Sequence, residues 1–220
     1  MNGALWTALT APEGGSGNLC LALNKETGAG VLSFLLQSGF SGRAELGLLG
    51  TDDLTLKVSP DGTAWRDALT VDRATGIVNQ PRSPRFKAYT NYDNYVALTT
   101  WTKIGINTVE ANDQGPFDPA TNLFTAPVAG TYLFGASLLY KVNASTSARM
   151  RGRLVLNGTT EIRGSFGEVS SSHKSLATAL WLQTMVPLSA GDTVELQGYF
   201  RVADGYFAAD HTSFWRSKVG

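Results

Sequence analysis

The chain has 220 residues, with 18 basic and 18 acidic side chains, so its formal net charge at pH 7 is zero. With 43% apolar and 16% charged residues it can bury a hydrophobic core, and it lacks the basic surplus that predicts a nucleic-acid-binding protein. The single cysteine excludes an intrachain disulfide, and no apolar run is long enough to predict insertion into a membrane.

Residues 1–80 are predicted to form short, glycine-rich β-strands. Leu54, Leu56 and Val58, for example, alternate with polar residues, as in a strand with one buried face. A glycine-rich loop at 12–17 separates the first ten residues from this part of the chain. The predicted strands lie near 19–23, 31–36, 43–48, 54–58, 68–72 and 76–78.

Strands this short bury little surface by themselves. We therefore expect residues 1–80 to pack against copies of the same chain, as an intertwined β segment. The first ten residues, which include Trp6, are likewise expected to need another chain for their burial.

A polar segment divides the sequence. Residues 79–85 read NQPRSPR, with two prolines that fix φ and cannot donate to a β-ladder. The sequence therefore predicts a linker at 81–85, between a segment 1–80 and a second domain at 86–220.

The second domain is predicted to have longer and more aromatic strands. Leu196, Phe200 and Val202 alternate with polar or glycine positions, and Asn157-Gly158 is a typical hairpin turn between two such runs. No window longer than about two turns shows helical periodicity. We therefore predict an all-β protein.

Three motifs in the second domain, in the right order, resemble the C1q-like family. Residues 117–134 read FDPATNLFTAPVAGTYLF, 153–158 read RLVLNG, and 188–196 read LSAGDTVEL. SFW at 213–215 stands where the family has its closing strand. The resemblance covers 86–220 and implies a ten-stranded jelly-roll sandwich that usually assembles as a homotrimer.

The first segment resembles tail-fibre proteins of tailed phages and of alphaproteobacterial gene transfer agents. The similar stretches are LLQSGFSGRAELG at 35–47, DDLTLKVSPDGTAW at 52–65 and DRATGIV at 72–78. In those proteins such a β segment precedes a receptor-binding tip. The resemblance implies a fibre shaft at 1–80 followed by a head at 86–220.

Three arginines of the head share one face of a predicted strand. Arg149, Arg151 and Arg153 alternate with Met150 and Gly152, so their guanidinium groups can bind acidic sugars, carboxylates or phosphates. The alternative is a solvated outer face, or ion pairs across a trimer interface.

The loop at 202–211 is the second candidate ligand site. Asp204, Tyr206, Asp210 and His211 combine an aromatic face with planar hydrogen-bonding groups, a combination typical of carbohydrate sites. The alternatives are an ordinary hairpin loop with Tyr206 and Phe207 in the core, or a Ca²⁺ site held by the two aspartates. No spacing matches an EF-hand or a zinc site, so no cofactor is predicted beyond that Ca²⁺.

An enzyme is the least favoured function. No G-x-S-x-G motif occurs, and no two carboxylates are predicted to oppose each other across a cleft, as a capsule depolymerase requires. We expect instead the distal part of a fibre on a phage-like particle, a homotrimer that binds host cell-surface polysaccharide. The first segment would contact other particle proteins, and the protein would be extracellular after release. The alternative is a structural cap that trimerises the fibre without a receptor site.

Overall fold

The computed structural model describes residues 3–142, 148–170 and 177–219. The chain divides into two compact units, residues 1–81 and 82–220. The described part is all-β, as predicted, apart from one short 3₁₀ helix at Ala11–Glu13.

The first unit contains one antiparallel sheet, in which each strand pairs with the next along the chain. The strands are β1 (Val31–Ser38), β2 (Ser41–Leu49), β3 (Leu54–Val58), β4 (Arg66–Val71) and β5 (Val78–Asn79). The strand predicted at 19–23 does not form. Its alternating leucines are exposed, and β1, at the edge of the sheet, pairs with β2 alone among the described residues.

This sheet has no hydrophobic core of its own. Among residues 3–81 the buried ones are Gly42, Thr55 and Ser59, while side chains as large as Phe34 and Leu36 are exposed. Because no second layer covers its exposed apolar residues, this sheet keeps most of its apolar surface in contact with water. The predicted inability of this segment to bury a core by itself agrees with the structure.

Within the residues that the structure describes, the second unit is a sandwich of two seven-stranded sheets. The strands are β6 (Arg85–Tyr89), β7 (Asn94–Val96), β8 (Thr102–Lys103), β9 (Thr108–Asp113), β10 (Phe117–Asp118), β11 (Leu123–Thr125), β12 (Gly130–Val142), β13 (Arg149–Leu156), β14 (Thr160–Glu161), β15 (Gly167–Ser170), β16 (Thr178–Leu188), β17 (Thr193–Arg201), β18 (Gly205–Phe207) and β19 (Ser213–Lys218). Sheet I has the order β7-β18-β12-β19-β6-β9, and β16 also pairs with β12. Sheet II has the order β10-β11-β17-β13-β14, with β15 paired to β13 and β8 paired to β17.

The resemblance to the C1q-like family implied ten strands, and this number is wrong. Fourteen strands are present in the described part of this unit, because short segments such as β8, β10 and β14 add two-residue ladders to the longer ones.

An aromatic core fills the sandwich. Phe86, Phe117, Phe124, Phe134 and Phe214 are buried and touch one another, with ring centroids 4.7 Å apart for Phe86–Phe117 and 5.1 Å for Phe124–Phe134. Side chains alternate across each strand, so the neighbours of these residues point away from the core. The core thus fixes which side chains appear on the two outward faces.

Two of the sequence motifs meet at one corner of the sandwich. Asn157 and Gly158 have φ values of 50° and 71°, as in a hairpin turn that requires positive φ at both positions. The side-chain Nδ2 of Asn157 donates to Asp192 Oδ1 at 2.9 Å, and its Oδ1 accepts from the backbone N–H of Thr193 at 2.8 Å. The hydrogen bonds that Asp192 accepts from the Asn157 side chain and from the Ser189 backbone amide lower its pKa. The two hydrogen bonds of Asn157 join the β13–β14 hairpin to the start of β17.

The core also contains one cation. Arg216 is 1% exposed, and its guanidinium lies 4.3 Å and 4.0 Å from the ring centroids of Phe124 and Tyr132. One terminal nitrogen donates to the Pro84 carbonyl. Burial lowers the pKa of Arg216 to about 10, so the group stays charged at neutral pH and its two ring contacts are cation–π contacts.

Candidate functional site

The structure divides the predicted site at 202–211 into two places. Asp204 and Tyr206 belong to β18 and its approach, where Tyr206 lies opposite Tyr95 of β7. The Tyr95 hydroxyl donates to Asp204 Oδ2 at 2.9 Å, and the two tyrosine rings are 5.4 Å apart. This hydrogen bond, together with burial, raises the pKa of Tyr95. The cluster is polar and partly exposed.

The second half of that loop lies in a different place from Asp204 and Tyr206. Phe207 is fully buried in the core, whereas Asp210 and His211 are exposed after β18. They line an open groove of about 620 Å³ on sheet I, together with Trp181 and the ion pair between Lys87 and Glu110, whose charged atoms are 2.5 Å apart.

The structure does not support a Ca²⁺ site formed by the two aspartates. Asp204 accepts from Tyr95, while Asp210 lies at the groove on sheet I. Across residues 3–142, 148–170 and 177–219, no three His, Cys, Asp or Glu side chains come together in a way that could hold a metal ion.

The outward side of sheet I carries several large apolar side chains beside the groove. We call it the apolar face; its large side chains are Leu133, Leu139, Trp181, Met185 and Trp215. Trp181 and Met185 are 73% and 64% exposed. A Cβ at Gly135 would lie 2.0 Å from the Trp215 ring, so this glycine lets the indole lie close against the strand. Exposed apolar side chains that cluster on one face are typical of interaction surfaces.

The outward side of sheet II contains the three predicted arginines. Arg149, Arg151 and Arg153 alternate along β13 with the buried residues Met150, Gly152 and Leu154. The face on which they were predicted to lie is therefore the solvated side of the sandwich.

Their partners differ along the strand. Arg153 donates to Gln197 Oε1 at 2.8 and 3.0 Å and forms an ion pair with Glu161 at 3.3 Å. Arg151 forms an ion pair with Glu168, which also lies 3.7 Å from a nitrogen of Arg149. These ion pairs lie within one chain, so the alternative of ion pairs across a trimer interface stays a prediction.

Three aromatic rings lie among these guanidinium groups. The Arg153 guanidinium is 4.0 Å from the Trp101 ring centroid, and that of Arg151 is 5.5 Å from Tyr199 and 5.7 Å from Phe166. The Trp101 and Tyr199 rings are 5.1 Å apart. We call these five residues the arginine–aromatic surface.

The aromatic members were not predicted from the sequence. Trp101, Phe166 and Tyr199 come from three separate parts of the chain, so no local spacing brings them together. The sequence could have placed only Tyr199 on the outward side, because it alternates with the buried Gly198 and Phe200 along β17.

Two further arginines lie at one end of this surface. Arg201 of β17 lies opposite Arg149 of β13 in the strand register. The pKa of Glu168 is lowered by its hydrogen bond with Arg151 and by the charges of Arg151, Arg149 and Arg201. Arg149 and Arg151 form ion pairs with Glu168, and Arg201 acts on it through its charge.

The sandwich and the motifs at its corners agree with a family match. The C1q domain model matches residues 86–214, more than half of the chain. The chain belongs to the C1q domain family. Its second unit is a C1q/TNF-like jelly roll, and domains of this kind typically form homotrimers and are generally non-enzymatic binding modules.

One curated relative is "Uncharacterized protein YqcC" of Bacillus subtilis strain 168. It is 32% identical over 110 residues, which are 48% of this chain and 29% of the relative. The aligned part thus spans less than a third of that protein's length.

Two solved structures are also similar to the C1q domain. The globular domain of zebrafish complement 1qA protein is 17% identical with a TM-score of 0.45, and the match covers 63% of this chain and 98% of that one. Murine APRIL, solved at pH 5.0, is 9% identical with a TM-score of 0.47, over 63% and 100% of the two chains.

Within the described residues, no helix is both long and apolar enough to cross a membrane.

Proposed function

We propose that the chain is the distal part of a fibre on a phage-like particle: a homotrimer whose C1q domain binds host cell-surface polysaccharide during adsorption. The observation that carries this proposal is the difference between the two outward faces of the sandwich. Sheet I presents the apolar face, which suits burial against other copies, while sheet II presents a charged and aromatic surface, which suits a soluble ligand.

The apolar face is assigned to the contact between copies. Trp181 and Met185 are exposed on this face. Covering them with another chain stabilises the assembly, because it removes apolar surface from water. C1q/TNF-like domains typically form homotrimers, so the occupant of this face is a second copy of the same chain.

The first unit is assigned to the fibre shaft. Its sheet has exposed apolar side chains and, among residues 3–81, no buried ones. Packing against the sheets of two further copies supplies the missing layer, and the resemblance to tail-fibre segments supports this role. In this assignment the first unit also makes the contacts to other particle proteins.

Ligand binding is assigned to sheet II. A trimer that buries the apolar face leaves the outward side of sheet II in solvent. Three equivalent sites per trimer, and several fibres per particle, give adsorption through avidity even when each site binds weakly. The protein is then located on the particle surface and outside the cell after release.

A purely structural cap is the second candidate. One observation supports it: Phe207 is part of the core and Tyr206 is half-buried, so the loop at 202–211 exposes less aromatic surface than its sequence suggests.

Binding of fluorescently labelled full chain to candidate host cells tests the proposal. We expect saturable binding that is lost after periodate oxidation or removal of the capsule. Binding that survives both treatments contradicts a polysaccharide receptor. No binding to a demonstrated host, at concentrations where the protein is trimeric, supports the structural cap.

A further inference from the structure

We infer that the outward side of sheet II binds an acidic saccharide, with the carboxylate of a uronic-acid-type sugar at Arg149, Arg151 and Arg201 and the sugar ring on the faces of Tyr199 and Phe166. This inference rests on the proposed polysaccharide binding and names the ligand class and the residues that select it.

The charges on this side of the sheet point to an anionic ligand. Glu168 is the carboxylate that Arg149 and Arg151 share, at 3.7 Å in the first case and through a direct Nε hydrogen bond in the second. Arg201 lies opposite Arg149 in the ladder and is exposed. Three positive charges and one negative charge leave an excess of two at this end of the surface. A carboxylate on a ligand meets attraction here that a neutral sugar does not.

The geometry of the arginines suits a planar anion. A guanidinium group presents parallel N–H donors that match the two oxygens of a carboxylate. Arg151 uses Nε for Glu168, and the side chain of Arg149 is 51% exposed and lies 3.7 Å from Glu168. By contrast, Arg153 is held by Gln197 and Glu161 through all three of its nitrogens, so its role is to support the Trp101 ring.

The aromatic rings supply the second half of the site. Tyr199 pairs with Arg151 in the strand register, and Phe166, which is 46% exposed, lies near the same guanidinium. Arg151 lies 5.5 and 5.7 Å from these two ring centroids. A carboxylate at the arginines therefore places the attached pyranose beside an aromatic face, where its C–H groups pack.

The test uses oligogalacturonate of defined length, titrated calorimetrically into the full chain. The matched ligand is the methyl ester of the same oligomer, which has the same rings without the charges; sulfated dextran oligomers separate carboxylate from sulfate recognition. We expect binding of the free acid, weakened by added salt. We expect binding of the ester and of the sulfated oligomer to be weaker by about tenfold or more.

Protein variants locate the site. Arg201→Gln and Tyr199→Ala should each weaken binding of the free acid by about tenfold. Arg66→Gln changes the net charge as Arg201→Gln does but lies in the first unit, and it should bind as the wild type does. Arg201 has no carboxylate within ion-pair distance among the described residues, so its substitution leaves the fold intact, which the melting temperature and native mass check.

Four results overturn the inference: no binding of the free acid, equal binding of acid and ester, preference for the sulfated oligomer, or unchanged binding by both Arg201→Gln and Tyr199→Ala. The host-cell assay reports on the proposed function separately. If wild-type cell binding is glycan-dependent and Arg201→Gln leaves it unchanged, the proposed function stands and this site is wrong. If the wild type binds oligogalacturonate but no host cell, the site stands and the proposed function is wrong.

Discussion

Replacing Trp181 by serine should weaken the homotrimer without unfolding the single chain. Trp181 is 73% exposed in the isolated chain, so its removal takes little from the core. If a neighbouring copy covers that exposed part, about 160 Å² of apolar area leaves water, which stabilises the assembly by about 4 kcal/mol per chain at about 25 cal/mol per Å². The loss occurs at three equivalent positions in a trimer.

Sedimentation velocity over a dilution series of the full chain measures this effect. We expect the concentration at which half of the chains are trimeric to rise by at least about a hundredfold in Trp181→Ser. The matched control is Tyr92→Ser, which removes an aromatic side chain that is 48% exposed outside the apolar face, and its midpoint should equal that of the wild type. A midpoint for Trp181→Ser within a factor of two of the wild type refutes the assignment of the apolar face to the trimer contact.

Three further predictions concern stability. Gly135→Ala should lower the free energy of unfolding by about 1–3 kcal/mol, because the new Cβ forces the Trp215 ring away from the strand; urea denaturation measures it, and unchanged stability contradicts the close contact. Arg216→Lys should lower the free energy of unfolding by about 2–4 kcal/mol, since an ammonium lacks the planar guanidinium that contacts both rings, and an equal melting temperature argues against cation–π stabilisation. The pKa of Asp192 is lowered by the hydrogen bonds it accepts, so its contribution to stability is present at neutral pH and is lost as the pH falls through its folded-state value. Asp192→Asn should therefore flatten the loss of stability below about pH 4, measured by melting temperature against pH, and an unchanged acid profile contradicts this account.

Much of the fold could be predicted because its determinants are local. The alternation along β17 and the Asn157-Gly158 turn report strands and hairpins from neighbouring residues alone. The prediction at 19–23 was wrong for the same reason: alternating leucines define an apolar face, but a strand also needs a partner for its backbone hydrogen bonds.

The candidate site was predicted only in part, because its geometry is long-range. Strand alternation placed the three arginines correctly on one outward face. The local richness of 202–211 in polar and aromatic residues was a poorer guide, since β18 sends Phe207 inward and separates Asp204 from Asp210. Trp101 reaches Arg153 only through the pairing of β8 with β17, which no sequence spacing encodes.

Native mass spectrometry of the full-length chain at micromolar concentration tests the central claim, trimeric assembly, most directly. Our account predicts a dominant species of three times the 23.5 kDa chain mass. A dominant species of one chain mass at that concentration contradicts it.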